Sequence, residues 1–565
     1  MPVYCAGLSQ RFSTACLCWA VCCLGATAVL AETLPNAGQL QQSLQTVQEL
    51  RSPLLPPLSS MPAAQAKTVR SGGAKVIVTK FKWVGNSLYA DPVLNRLTAS
   101  SLGQPMDFAQ LEMVAMAVAN HYRAAGYVVQ TKLPTQDIAN GVVTIEIIEA
   151  KFGKVLMDSS TAKRVDAARI QSTIEAFQPA GAYLNANNID RAMAVLSDLA
   201  GIRVQGQLLP SAETGQTDFL VSTQDLPAVA IDTTADNAGA RSTGAERVSL
   251  GLTLNSPLRL GDQFTGLAMT SKGSDYLRAA YRWPLGHAGW TMGINGSRMN
   301  YSSNLTTESA GVVSHLQLTG RADAFGVEAM YPVVRRNRYK LDAVMAWDLK
   351  KYTNQRDAQV DSMYDTRSLN AGLQGQFSDT FARDGFSTWQ VTGTGGELTK
   401  KQGSLNEGRY YKIKYSFTHK QELTPRWSWY AALNGQASET LLDASEKFYL
   451  GGMNGVRAYP SSEAGGSAGQ LLNLEMRYRL GSNSTLFAFY DQGQVVVDPA
   501  SAVALNRWGL KGYGLGYGLV SAKGINLKAM VARRLGSNPN PTSTGQDQDG
   551  SLVLNRFWLS ASVPF

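Results

Sequence analysis

Gly451-Gly-Met-Asn-Gly-Val-Arg-Ala-Tyr459 and, further along, Phe487-Ala-Phe-Tyr-Asp-Gln-Gly493 are the two segments around which this chain is organised. The first lies in a Gly- and Ser-rich stretch that predicts a long loop. The second ends a segment of alternating apolar and polar residues, which predicts a strand. We expect Arg457 to pair with Asp491, because guanidinium and carboxylate can bond in a bidentate geometry. The alternative is that both are ordinary solvated charges.

This pair of segments resembles the paired signature of the two-partner secretion transporters (TpsB), which are outer-membrane barrels in the superfamily of the barrel-assembly insertases. The family usually has glycine where this chain has Ala458, and alanine would be strained there if the position needs a positive φ. The resemblance implies a loop that folds inward and is held by a barrel strand. We call Val456, Arg457, Ala458 and Tyr459 the loop motif. We call Phe489, Asp491 and Gly493 the wall motif.

The start of the chain predicts an export signal. Residues 1–31 contain one charge, Arg11, followed by a mostly apolar or small run and a small-residue cleavage site at Ala31. All five cysteines lie in this segment: Cys5, Cys16, Cys18, Cys22 and Cys23. We therefore expect a mature chain without disulfides, thiolate catalysis or Cys-bound metal.

Charge is distributed unevenly over the chain. The formal net charge is +9, yet residues 32–225 carry no net charge, so the positive excess lies in residues 226–565. A basic barrel could face lipid phosphates outside or an acidic segment in transit inside, and the sequence does not choose between them.

The segment 32–52 contains a helical pattern with Leu40, Leu44, Val47 and Leu50 on one face and glutamines elsewhere. Residues 53–74 begin with a Pro-rich stretch that predicts an extended linker. The resemblance implies that this helix plugs the pore. The alternative is an exported tail with a marginally stable helix.

Residues 75–150 and 151–226 share one predicted order, strand, helix, helix, strand, strand. This order resembles that of POTRA domains, which the resemblance places in the periplasm as binding sites for the transported polypeptide. An exposed sheet edge can bind an extended chain through backbone hydrogen bonds. Our candidate edge is Tyr127, Val128, Val129, Gln130, Thr131 and Lys132. The alternative is that both domains are rigid spacers with guarded edges.

Residues 227–565 predict sixteen antiparallel strands of a transmembrane β-barrel. Short joints with turn residues alternate with longer polar joints, among them 302–313, 353–364 and 441–468. This alternation is typical of barrels with short periplasmic turns and long outer loops. The last strand ends at Phe565, and this terminal aromatic resembles an outer-membrane assembly signal.

No catalytic or cofactor motif is present. The four histidines lack metal-ligand spacing, and neither a phosphate-binding loop nor a nucleophile elbow occurs. Gly-rich residues 513–518 lie in a strand pattern without a following helix, so they do not predict nucleotide binding. We expect no enzyme, no cofactor, no metal and no nucleic-acid partner.

The fold class and the resemblance together predict a Gram-negative outer-membrane transporter. We expect it to secrete one large exoprotein of the haemolysin, adhesin or toxin type by two-partner (type V) secretion. Expected partners are that exoprotein, outer-membrane lipid and the barrel-assembly machinery. The alternatives are an insertase for other outer-membrane proteins and, less in keeping with two polypeptide-binding domains, a passive porin.

Overall fold

The computed structural model describes residues 36–51, 75–158, 163–213, 215–309, 312–336, 338–403, 407–501, 506–539, 541–542 and 545–565. The predicted signal peptide, 1–31, and the predicted linker, 53–74, lie outside the described residues. The first described element is helix α1, Ala37–Arg51. No helix in the described ranges is long and apolar enough to cross a membrane.

The first small domain packs two helices on a three-stranded sheet of order β2–β5–β4. Helix α3 begins with a capping box, in which Asp107 and Gln110 each bond the other's backbone N–H at 2.9 Å. It ends before Gly126, whose φ is +89°. The elements are β1 Val76–Ile77, β2 Lys80–Val84, α2 Asp91–Thr98, β3 Pro105–Met106, α3 Phe108–Ala124, β4 Val129–Lys132 and β5 Val142–Glu149.

The second small domain repeats this plan with sheet order β6–β8–β7. Its core lies between the helices and the sheet and includes Phe152, Ile170, Ile174 and Phe219, all buried. The elements are β6 Lys151–Met157, α4 Ala167–Phe177, α5 Ala186–Ser197, β7 Ile202–Pro210 and β8 Gln216–Asp225.

The rest of the chain forms a closed barrel of sixteen antiparallel strands, which confirms the predicted fold class. Each strand pairs with its sequence neighbour, and β26 closes the barrel on β9. The barrel strands are β9 Val229–Asp236, β10 Arg247–Asn255, β11 Gln263–Ser271, β12 Ser274–Leu285, β13 Trp290–Ser309, β14 Val312–Arg336, β15 Tyr339–Arg356, β16 Gln359–Asp379, β17 Gly385–Gln402, β18 Gly408–Glu422, β19 Trp427–Ala437, β22 Ala468–Arg479, β23 Ser484–Val496, β24 Arg507–Val520, β25 Asn526–Arg534 and β26 Asn555–Pro564. Between β19 and β22 lies a two-residue pair, β20 Phe448–Tyr449 and β21 Gly465–Gly466.

Two of the outer loops expected from the sequence are wrong, because the strands continue through them. Strands β13 and β14 pair from Thr291 to Ser309, where a loop over 302–313 was expected. Strands β15 and β16 likewise pair out to Arg356 and Gln359, within the expected loop 353–364. Polar residues there satisfied the sequence criterion for loops, but a polar strand is stable when both edges of its backbone are paired.

The second domain is held against the barrel by contacts with the barrel turns that face it. Arg335, at the end of β14, is buried and bonds Asp198 of the domain at 2.8 Å and Asp342 of β15 at 2.5 Å. Arg169 donates to the carbonyl of Gly286, in the turn between β12 and β13, and Arg191 donates to that of Pro332, in the same hairpin as Arg335. Because these contacts involve two barrel hairpins, the second domain has one defined position against the barrel mouth.

Candidate functional site

The loop between β19 and β22, residues 438–467, folds into the barrel lumen. All four residues of the loop motif are buried, with exposed fractions between 0 and 3%. The N–H of Val456 donates to the carbonyl of Leu450 at 2.7 Å, and the N–H of Gly452 donates to that of Tyr459 at 3.2 Å, so the tip is a tight internal turn. The loop motif is therefore a packed element of the lumen.

Arg457 and Asp491 are paired in a bidentate geometry. The guanidinium Nε and Nη2 lie 2.9 and 2.7 Å from the two carboxylate oxygens of Asp491. The backbone N–H of Arg457 donates to the same carboxylate at 3.0 Å. Asp491 has no exposed surface. These three donors, all from Arg457, fix both the position of the loop and the direction of the Arg457 side chain.

The other two residues of the wall motif also contact the loop. The Phe489 ring lies under the Arg457 guanidinium, 3.6 Å from ring centroid to guanidinium carbon, in cation–π geometry. At Gly493 a Cβ atom would lie 2.5 Å from Cδ2 of Leu450 on the loop. Each residue of the wall motif therefore has a physical role. The Phe489 ring packs on the guanidinium cation, and the Asp491 carboxylate accepts two hydrogen bonds from that guanidinium. Gly493 leaves space for an apolar side chain of the loop.

Sequence reasoning missed three partners of this pair. Glu475 on β22 accepts from Nη1 of Arg457 at 2.6 Å, and Asn473 on the same strand bonds both Asp491 and the carbonyl of Gly455. Trp558 on the last strand donates its indole N–H to the carbonyl of Arg457 at 2.7 Å. Their signal was weak because each lies in an ordinary strand pattern. Alternation in the strands could have placed them on the lumen side, but not opposite the loop.

Ala458, the departure from the family motif, does not have a positive φ; the loop's non-glycine residues with positive φ are Ser462 and Ala464. Its methyl group instead packs against Gly512 on β24. A Cβ atom at Gly512 would lie 2.6 Å from the Ala458 Cβ. The alanine is accommodated because the facing strand has no side chain at that point.

The contact between Ala458 and Gly512 predicts that a substitution on the barrel wall can be compensated by one on the loop. Given the export that the sequence predicts, Gly512→Ala should lower it, because two methyl groups cannot occupy the space and overpacking costs about 1–3 kcal/mol. The double variant Ala458→Gly with Gly512→Ala should restore export, since the methyl group only changes sides. The measurement is the amount of the exported exoprotein, called the client below, in the culture medium, with barrel abundance as the control. A double variant no better than Gly512→Ala would show that this contact does not position the loop.

A second set of contacts ties the loop to the last outer connection, between β25 and β26. The Arg534 guanidinium lies 4.8 Å from the ring centroid of Tyr459 and is paired with the fully buried Asp547. Glu463 accepts from the Asn538 amide and from the backbone N–H of Gln548, both at 2.9 Å. The inward loop is therefore held from the wall, from the last strand and from its neighbouring outer connection.

Helix α1 lies in the same lumen. Leu40 and Leu44 pack in a buried cluster with Tyr276, Tyr301, Tyr352 and Tyr364 of strands β12 to β16. The N–H of Ala37 donates to Asn354 at 2.9 Å.

The helix also contacts the base of the inward loop. Gln42 donates to the carbonyl of Lys447, and a Cβ atom at Gly38 would lie 2.6 Å from the Cβ of Ser445. Tyr364 joins the two, because its hydroxyl lies 2.9 Å from Asp443 and next to Gly38. The helix and the loop therefore form one packed body inside the barrel.

The candidate edge 127–132 is shorter than expected. Strand β4 covers Val129–Lys132 and forms one edge of its sheet. Tyr127 and Val128 instead pair with Asn185 and Leu184 of the second domain. The sequence could not show this, because the pairing joins two domains. Only Val129, Gln130, Thr131 and Lys132 remain at the edge.

Phe565, the expected assembly signal, follows the end of β26, and its N–H donates to Ile231 of the first barrel strand at 2.8 Å. Its side chain is exposed. Within the described ranges, no group of three or more His, Cys, Asp or Glu residues could hold a metal ion.

Residues 215–519, more than half of the chain, match the family model described as haemolysin secretion/activation protein ShlB/FhaC/HecB. This chain belongs to the ShlB/FhaC/HecB family. Residues 76–150 match the model described as POTRA domain, ShlB-type. The ShlB/FhaC/HecB proteins are two-partner secretion transporters. The chain is accordingly an outer-membrane transporter that works with a large partner exoprotein, and its POTRA domains lie in the periplasm.

Relatives of this ShlB/FhaC/HecB member are distant but extend over most of its length. The heme/hemopexin transporter protein HuxB of Haemophilus influenzae (strain ATCC 51907 / DSM 11121 / KW20 / Rd) is 23% identical over 494 residues, which cover 84% of each chain. The outer membrane transporter CdiB of Dickeya dadantii (strain 3937) is 23% identical over 501 residues, which cover 83% of this chain and 84% of that protein.

Two solved structures share the fold of this family member. CdiB from Escherichia coli has a TM-score of 0.73 at 20% identity and covers 96% of this chain and 100% of its own. CdiB from Acinetobacter baumannii has a TM-score of 0.68 at 16% identity and covers 94% of this chain and 100% of its own.

Proposed function

We propose that the exoprotein passes, partly unfolded, through the lumen that α1 and the inward loop occupy. The observation that carries this proposal is the contact between them at Gly38, Tyr364 and Asp443. Helix α1 is held by side-chain packing and hydrogen bonds and belongs to no sheet, so it can leave the lumen without breaking any strand pairing. In this proposal the two POTRA domains capture the client, α1 leaves the lumen, and the Arg457–Asp491 pair sets the loop position used in transport.

The proposed client is one large exoprotein of the haemolysin, adhesin or toxin type. The name of HuxB adds a client related to heme or hemopexin as a further class. The energy source is proposed to be folding of the client outside the cell, without a catalytic centre or cofactor in the transporter. We further propose that the barrel contacts outer-membrane lipid and is inserted by the barrel-assembly machinery.

The experiment that tests export is quantitative mass spectrometry of a deletion strain and its parent. Loss of one large secreted or surface protein, with other outer-membrane proteins unchanged, is the expected result and would identify the client. Depletion of many barrel proteins would point to an insertase instead. Unchanged secreted and outer-membrane fractions would contradict export and favour a porin.

We propose that the client first pairs with the free edge of β4. Gln130 is exposed on this edge, and a cysteine there would be the only one after residue 31. Gln130→Cys carrying a thiol-linked photo-cross-linker should therefore form an adduct with the client. The matched control is Gln104→Cys, which is exposed in the same domain away from the sheet edge. Equal adduct yields at the two positions would argue against strand addition at β4.

A further inference from the structure

The outward face of strands β12 to β15 carries a row of charged residues. Tyr276, Met299, Ala322 and Tyr352 are buried toward the lumen, so their neighbours in sequence point outward. The strand register aligns these outward neighbours side by side: Leu277, Arg298, Asp323 and Lys351.

The charges in this row leave an excess of positive charge. Asp323 bonds Arg298 at 2.6 Å and Arg321, on its own strand, at 2.7 Å. Lys351 lies opposite Asp365 of β16, which is itself paired with Lys401 at 2.7 Å. Four cations and two carboxylates therefore share this outward surface, and the side chains of Arg298 and Arg321 are about half exposed.

Directly beside this row on the membrane side lies an apolar groove of about 560 Å³. Gly296 forms part of its floor, and a Cβ atom there would meet only the carbonyl of Ala324, at 3.8 Å. The groove walls are apolar: Leu277, Ala279, Phe325 and Leu349. The glycine thus leaves an open channel that ends at the cations.

The depth of this site in the membrane follows from the pattern of outward residues along β14. On β14 the outward residues from Phe325 through Tyr331 are apolar or aromatic, and Tyr331 packs on Trp290 at 4.8 Å. Asp323 and Tyr331 are eight residues apart on one strand, which is about 27 Å along the strand and, with the usual tilt, about 20 Å across the membrane. That distance is close to the apolar band of such barrels, about 25 Å. The cations therefore lie at the outer boundary of the hydrocarbon.

We propose that this patch is a binding site for a phosphate-bearing lipid of the outer leaflet. One acyl chain occupies the groove over Gly296, and the phosphate is bound by Lys351, Arg298 and Arg321. The charges are complementary, because a phosphate compensates the excess left after Asp323 is paired. In this proposal, part of the net positive charge of residues 226–565 lies on the lipid-facing surface of the barrel. It rests on the outer-membrane placement of the barrel and not on the proposed export route.

The test is native mass spectrometry of the full-length protein in detergent, titrated with diphosphorylated lipid A. The wild type should bind a saturable first equivalent. The triple variant Arg298→Gln, Arg321→Gln, Lys351→Gln should bind it about tenfold more weakly, because charge-assisted phosphate contacts are lost. Gly296→Val should weaken lipid A binding as well, since it fills the groove without changing charge.

The matched control for charge is Arg383→Gln, Arg426→Gln, Arg479→Gln, three exposed cations at the periplasmic turns. This control should bind lipid A like the wild type. Inorganic phosphate should not compete; effective competition would show a simple anion site and overturn the lipid assignment. Wild-type binding by the triple variant would also overturn it. Measuring export in the same variants separates this result from any failure of the transport proposal.

Discussion

Replacing Arg457 by alanine should abolish export while the barrel still assembles in the outer membrane. The substitution leaves Asp491 buried without its cation, whereas Glu475 keeps its ion pair with Arg477 at 2.7 Å. An uncompensated buried charge costs about 3–5 kcal/mol. The strand hydrogen bonds that close the barrel involve none of these side chains, so the cost falls on the inward loop.

A cost of that size changes the balance between the inward and displaced loop by about a hundredfold or more. We therefore expect the loop of Arg457→Ala to leave its position most of the time. The measurements are the amount of client outside the cell and, for the barrel, its abundance and heat-dependent gel migration. Wild-type export by an assembled Arg457→Ala barrel would contradict the proposed role of the pair.

Two further variants distinguish charge from geometry. Arg457→Lys keeps the charge but cannot make the bidentate contact with Asp491, so it should recover little export. Asp491→Asn keeps the shape and removes the charge, and it should fall between the wild type and Arg457→Ala. Full export by Arg457→Lys would show that charge alone holds the loop.

Deleting residues 36–51 should open the pore. The deletion removes the whole of α1 from the lumen, and barrels of about sixteen strands leave an aqueous channel when nothing fills them. In planar bilayers we expect long openings of higher conductance than those of the full chain. Unchanged conductance would show that the inward loop alone closes the pore.

A single substitution should reproduce part of this effect. Gly38→Leu cannot be accommodated, because its Cβ would lie 2.6 Å from that of Ser445 and 2.9 Å from the Tyr364 hydroxyl. The neighbouring Gln39→Leu adds an apolar side chain at a half-buried position and serves as the control. Gly38→Leu should increase the open time, and Gln39→Leu should not. Equal effects of the two variants would mean that hydrophobicity of the helix, and not its close contact at Gly38, controls release.

The sequence was informative where a pattern repeats or a motif is local. Sixteen strands follow from alternation and turn residues, and sixteen strands form the closed barrel. Arg457 and Asp491 were singled out by motif and are paired in the structure.

The remainder depends on contacts between distant strands. Trp558 and Arg457 are 101 residues apart, and neither residue's local sequence indicates the other. Gly512 lies in a Gly-rich strand whose purpose is visible only once Ala458 lies against it. Tyr127 and Val128 are not part of the exposed edge that the sequence predicted, because the second domain pairs with them. Such tertiary pairings override local patterns.

The length of the central hairpins has a consequence for where the client emerges. Strand β14 spans Val312–Arg336, so eleven residues separate its outer end from the charged boundary at Asp323. At the usual rise and tilt this is about 37 Å along the strand and nearly 30 Å above the hydrocarbon. On one side of the barrel, the paired strands therefore form a wall that extends well above the membrane beside the exit. On the proposed route, a chain leaving the lumen on that side would begin to fold clear of the lipid headgroups, beyond the zone where its exposed apolar segments could partition back into the membrane.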